Sequence, residues 1–146
     1  MKNKLQQHPI NILLADDDRE DRIIFDKALQ EIPIATNLSI VKDGARLMQL
    51  LDAHTGPLPD ILFLDLSMPY KTGFECLAEI KENEKLKSIP VVMLTASFTR
   101  GIELENNLKH TLAGMGAQDY IRKTGNFEQL KAVLEQTLLT VMKKAG

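Results

Sequence analysis

Asp65 closes a run of four apolar residues, Ile61, Leu62, Phe63 and Leu64, bracketed by Pro59 and Pro69. Two further acids, Asp16 and Asp17, follow the apolar run at residues 10–15. Thr95 follows the run at 89–94, and Lys123 follows the short segment 118–122 around Tyr120. Three carboxylates brought together repel, so one of them resists ionisation unless a cation balances the group. A hard divalent ion such as Mg2+ answers that need, since it takes oxygen ligands, is held by one or two carboxylates and binds phosphate oxygens. The remaining acid is then free to act as a nucleophile and form an acyl phosphate. A hydroxyl and an ammonium would neutralise a transferring phosphoryl group, which suits Thr95 and Lys123. Singly, each residue has a plainer reading. Asp16, Asp17 and Asp18 could be a solvated helix start favoured by the helix dipole, Thr95 a satisfied strand-end hydroxyl, and Lys123 a surface charge. Their shared position, each at the carboxyl end of a different predicted strand, is what points to joint chemistry.

The elements that must position them alternate along the chain. Short apolar runs at 10–15, 61–64 and 89–94 read as strands covered on both faces. The weaker, partly polar runs at 38–41 and 118–122 read as strands too, the former at a sheet edge. Between them lie amphipathic helices. One is capped by Asp18, carries Ile24, Phe25, Ala28, Leu29 and Ile32 on one face, and ends at Pro33. A second is capped by Asp43 and carries Leu47, Leu50 and Leu51. Thr72 to Glu75 has the spacing of a capping box, opening a third helix with Phe74, Leu77 and Ile80 inward. Leu104, Leu108 and Leu112 mark a fourth, closed by Gly114, and Asn126 caps a fifth with Leu130, Leu134, Leu138 and Val141 inward. Five strands alternating with five helices predict a parallel sheet with helices on both faces. A doubly wound, flavodoxin-like strand order of 2-1-3-4-5 would set the first and third strands side by side and make Asp16, Asp17 and Asp65 converge.

Composition fits this class and excludes others. The 146 residues, 44% hydrophobic and 26% charged, suffice for one domain with its own core. A net charge of −2 gives no basic surplus for nucleic acid. The single Cys76 excludes an intramolecular disulfide, fits a reducing compartment and reads as a small buried hydrophobe. No apolar run approaches a membrane span, and the first seven residues are too polar for a signal peptide, so a cytoplasmic location is expected. His8, His54 and His110 share no spacing and read as neither ligands nor phosphorelay residues.

Over essentially its whole length the chain resembles the receiver domains of two-component response regulators. The resemblance rests on residues 12–18 (ILLADDD), 59–69 (PDILFLDLSMP), Thr72-Gly73, 91–96 (VVMLTA) and 116–123 (GAQDYIRK). It implies a phosphoacceptor at Asp65, charged by a sensor histidine kinase or a histidine phosphotransfer protein. It also implies Mg2+ held by Asp16, Asp17, Asp65 and the backbone carbonyl of Ser67, with Thr95 and Lys123 on the phosphoryl oxygens. Thr95 and Tyr120 would be the switch pair, changing the surface of the fourth helix, fifth strand and fifth helix. The length of the 81–88 spacer and the Leu66-Ser-Met-Pro segment are similar to stand-alone receivers associated with phytochromes. Residues 1–146 then form a single receiver domain, with 1–8 flexible, no output or DNA-binding segment, and no enzymatic chemistry beyond self-phosphorylation and autodephosphorylation. The downstream protein is unknown, and a homodimer stays open.

Three departures from the family pattern carry expectations. Thr124 follows Lys123 where the family has proline after a cis bond, so a trans Lys123–Thr124 bond is expected. Thr95 and Lys123 lie 28 positions apart, several more than the resemblance suggests, which predicts a longer segment within residues 97–115. Ser67 and Ser97, two residues beyond Asp65 and Thr95, are small and leave water access to an acyl phosphate. Among other classes, a Mg2+-dependent phosphohydrolase with an aspartate nucleophile would want an acid where Ser67 stands. A nucleotide or flavin site would want a glycine-rich loop where the three acids stand. A degenerate receiver that binds partners without phosphorylation fits poorly with a full set of site residues.

Overall fold

The computed structural model describes residues 8–96 and 102–145. The expectations placed on the first seven residues and on Ser97 lie outside them. Strands β1 (Ile10–Ala15), β2 (Thr36–Val41), β3 (Ile61–Asp65), β4 (Val91–Thr95) and β5 (Asp119–Arg122) alternate with helices. These are α1 (Arg19–Glu31), α2 (Gly44–Ala53), α3 (Gly73–Glu82), α4 (Ile102–Gly114) and α5 (Phe127–Ala145). All strand pairs are parallel, in the order β2-β1-β3-β4-β5. The alternation predicted a parallel sheet with helices on both faces, and the order is the doubly wound, flavodoxin-like one expected.

Alternating side chains divide the core between the two faces of the sheet. Leu13, Leu62, Leu64 and Met93 face Leu47, Leu51, Cys76, Leu77 and Leu112 on one side. Ile12, Leu14, Phe63, Val92 and Leu94 face Phe25, Leu29, Leu134 and Leu138 on the other. Phe25 meets Phe63 edge-on with ring centroids 5.0 Å apart, tying α1 to the central strand. β3 and β4 are buried along their whole length, which is why both read as unbroken apolar runs.

The helix starts follow the predicted caps. Asp18 accepts from the Asp21 N–H, Asp43 from the Arg46 N–H, and Thr72 and Glu75 form the reciprocal capping box. Asn126 accepts from the Gln129 N–H at 2.9 Å. Four positions expected inside are exposed, Ile24, Leu50, Phe74 and Leu104 at between 37% and 47%, and Leu108 and Leu130 are only partly buried. Each helix touches the sheet along a narrower stripe than its apolar residues span, and these four lie at its margin. Ile24 lines a groove of about 340 Å³ shared by α1, β5 and α5. Among the described residues, no helix is long and apolar enough to cross a membrane.

Candidate functional site

Strand register delivers the candidate residues to one lip of the sheet. Ala15 pairs with Leu64, so Asp16 and Asp65 leave adjacent strands side by side. Asp65 pairs with Leu94, and Thr95 with Arg122, which carries Thr95 and Lys123 to the same end. The ladder continues past the strand ends: Leu66 N–H donates to the Leu94 carbonyl at 2.9 Å, and Lys123 N–H to the Thr95 carbonyl at 2.7 Å. No cis peptide bond occurs among the described residues, so the Lys123–Thr124 bond is trans as expected, and the lysine still reaches the acids.

One carboxylate oxygen from each of Asp16, Asp17 and Asp65 lies within 4.8 Å of the others. Asp16 and Asp65 are buried and Asp17 is exposed. The Lys123 ammonium donates to Asp16 Oδ2 at 2.7 Å and stands 3.7 Å from Asp65 Oδ2. It also donates to Asp21 Oδ2 at 2.9 Å. Asp21 was not singled out in the sequence, where it reads as an ordinary acid in a first helical turn. Asp16 is itself held twice: its Oδ1 accepts from the Asp18 N–H at 2.9 Å, and its carbonyl accepts from Arg22 Nη1 at 3.0 Å.

Burial pushes the Asp65 carboxyl up to about 7. The Lys123 charge opposes that rise, repulsion from Asp16 adds to it, the Ser67 N–H opposes it, and a hydrogen bond with Asp17 adds to it. Burial alone would lower the Lys123 ammonium, but hydrogen bonds and charge from Asp16, the Asp21 carboxylate and the Asp65 charge hold it well above the usual lysine range. Two buried acids and a third exposed one, balanced by a single ammonium, leave negative charge for which a divalent cation with oxygen ligands is the natural complement. The donor set fits such an ion.

The loop after β3 is shaped by close approach. The Ser67 N–H donates to Asp65 Oδ1 at 3.3 Å, fixing one carboxylate oxygen against the turn. At Gly73 a Cβ would strike the Asp65 carbonyl oxygen and crowd Leu66, so only glycine lets α3 start this near the strand end. Gly73 N–H donates to the Leu66 carbonyl at 2.9 Å, closing the loop.

Thr95 is buried at the end of β4. The Tyr120 ring packs against the face of the sheet that carries α3 and α4, and its hydroxyl is buried with no hydrogen-bond partner among the described residues. Burial and the Glu105 carboxylate raise the Tyr120 phenol, while Arg122 and the nearby Thr95 hydroxyl oppose the rise, the latter without reaching hydrogen-bonding geometry. α4 runs over 13 residues, and Arg122 Nη1 reaches Glu105 Oε2 at 3.1 Å, binding that helix to the β5 edge.

A model of the response regulator receiver domain matches residues 12–135. The chain belongs to this family. With the receiver family comes its class of function, a phosphoacceptor module in signal transduction. The response regulator Rcp1 of Synechocystis sp. is 41% identical over 93 residues, covering 61% of this receiver and 63% of that protein. The transcriptional regulatory protein CpxR of Escherichia coli is 37% identical over 127 residues, covering 87% of this receiver and 48% of that protein. The sequence matches therefore span under two thirds of the length of Rcp1 and about half that of CpxR. Among solved structures, the Mn2+-bound form of Rcp1 superposes with a TM-score of 0.73 at 32% identity, covering 88% of this receiver and 91% of that chain. The phosphorylated cyanobacterial phytochrome response regulator RcpA superposes at 0.79 and 29% identity, covering 95% and 98%.

Proposed function

We propose that this receiver takes a phosphoryl group onto Asp65 from a phosphohistidine, carried by a sensor histidine kinase or a histidine phosphotransfer protein in the cytoplasm. The observation that carries the reading is the lysine bridge: one ammonium, from the end of β5, stands within 3.7 Å of carboxylates from the ends of both β1 and β3. One receiver unit then spans residues 1–146.

Asp16, Asp17, Asp65 and the Ser67 carbonyl would hold Mg2+, which supplies charge neutralisation for the phosphoryl oxygens and for the cluster itself. Asp65 presents the attacking oxygen. Its partner oxygen is held by the Ser67 N–H, so the carboxylate cannot rotate freely. Attack forms the O–P bond of an acyl phosphate as the P–N bond to the donor imidazole breaks. Lys123 and Thr95 contact the phosphoryl oxygens, the first as a point charge and the second as a hydroxyl donor. Pulling Thr95 toward the new charge draws Tyr120 with it, and the face formed by α4, β5 and α5 is the output. Its chemistry ends with hydrolysis of its own acyl phosphate, and its output partner is a second protein.

Incubation with acetyl phosphate and Mg2+ tests this reading by intact mass. The wild type gains one phosphoryl group and Asp65→Asn gains none. A gain that survives the substitution sinks it.

A further inference from the structure

Lys123 is shared among three carboxylates, and one of them lies outside the cation cluster. Asp21 Oδ2 accepts from the ammonium at 2.9 Å, whereas Asp65 Oδ2 stands 3.7 Å away. The Asp21 backbone is pinned in the first turn of α1 by Asp18 Oδ1 at 3.0 Å, and Asp18 in turn donates its own N–H to Asp16. A chain of short contacts thus links Asp16, the helix cap and the second anchor of the lysine.

We propose that Asp21 is a positioning residue for Lys123, holding its ammonium beside Asp65 when a divalent cation claims the carboxylate of Asp16. The inference rests on the reading of Asp65 as phosphoacceptor. A lysine stem is long and rotatable, and its ammonium is a strongly hydrated point charge. In this structure Asp16 anchors it at 2.7 Å. Once Asp16 is a cation ligand, its oxygens are shared and the cation repels the ammonium. Asp21 does not belong to the three-acid cluster, so its carboxylate oxygen stays available to the lysine. The side chain of Asp21 is 38% exposed and that of Lys123 19%, so the pair is partly shielded from water and holds better than a surface ion pair. A small displacement of a group that must meet the phosphoryl oxygens costs rate more than binding.

Two measurements on the full chain decide the matter. In the cation-free protein, the side-chain ammonium signal of Lys123 in 15N-lysine spectra, assigned by its loss in Lys123→Met, shifts in Asp21→Asn and returns toward wild type in Asp21→Glu. With acetyl phosphate as donor, Asp21→Asn lowers the maximal rate of Asp65 phosphorylation about tenfold, while the half-saturating Mg2+ concentration changes by less than about threefold. An unchanged ammonium signal, or an unchanged maximal rate in a chain that is phosphorylated, overturns the proposal. A wild type that gains no phosphoryl group counts against the phosphoacceptor reading instead, and the ammonium signal still decides whether Asp21 holds the lysine.

Discussion

Lys123 donates to Asp16 at 2.7 Å across 107 positions of sequence, joining the end of the edge strand β5 to the end of β1. β3 and β4 lie between those two strands, and Asp65 Oδ2 stands 3.7 Å from the same ammonium. The same ammonium is thereby shared among Asp16, Asp21 and Asp65.

Replacing Lys123 with alanine removes the one ammonium that, among the described residues, balances Asp16 and Asp65. The expected outcome is a fall of about 100-fold or more in the rate of phosphorylation from acetyl phosphate at saturating Mg2+. Cation binding is retained, because the three acids remain. Stopped-time intact mass measures the rate, and calorimetric titration with Mg2+ measures the binding.

Stability of the cation-free chain depends on pH through Asp65. Folding raises this carboxyl from 3.8 to about 7, so the folded chain holds the proton more tightly than the unfolded one. Its contribution favours the fold below the unfolded value and is lost as pH rises from about 4 through about 7. Urea unfolding at pH 5 and pH 8 is expected to show the wild type gaining less stability than Asp65→Asn on the way up. At pH 8 the substituted chain is the more stable by about 2 kcal/mol. Saturating Mg2+ reduces that gap, because the cation favours the ionised carboxylate.

Gly73→Ala tests the close packing of α3 against the acceptor strand. The added methyl must displace the Asp65 carbonyl or the helix start. Destabilisation of about 1–3 kcal/mol is expected by urea unfolding, with slower Asp65 phosphorylation.

The Tyr120 hydroxyl is buried with no hydrogen-bond partner among the described residues, and leaving such a group unpaired costs about 1–3 kcal/mol. Tyr120→Phe is therefore expected to be neutral or to raise stability by about 1 kcal/mol, with Asp65 still accepting phosphate. A clear loss of stability would mean that the hydroxyl has a partner.

The frame of the molecule was legible because it rests on local rules. β3 and β4 announce themselves as apolar runs buried on both faces, and Asp18, Asp43, Thr72 and Asn126 cap the helices their side chains predict. The convergence of Asp16, Asp65 and Lys123 needed the strand order as well, which alternation alone does not fix; the doubly wound order supplies it, and the register of β1 on β3 puts it in place. Asp21 was not legible. It pairs with a lysine 102 positions away, and nothing in its own turn distinguishes it from Glu20 beside it. Ile24, Leu50, Phe74 and Leu104 misled for the opposite reason: helical periodicity marks an apolar stripe but not how much of it the sheet covers.

Everything proposed for this receiver depends on which side chain carries the phosphoryl group. Borohydride reduction of the chain after treatment with acetyl phosphate and Mg2+ converts an aspartyl phosphate to homoserine, which peptide mass mapping locates. The conversion is expected at position 65 alone and is abolished by chelating the cation. Conversion at Asp16, Asp17 or elsewhere, with Asp65 intact, would contradict the assignment.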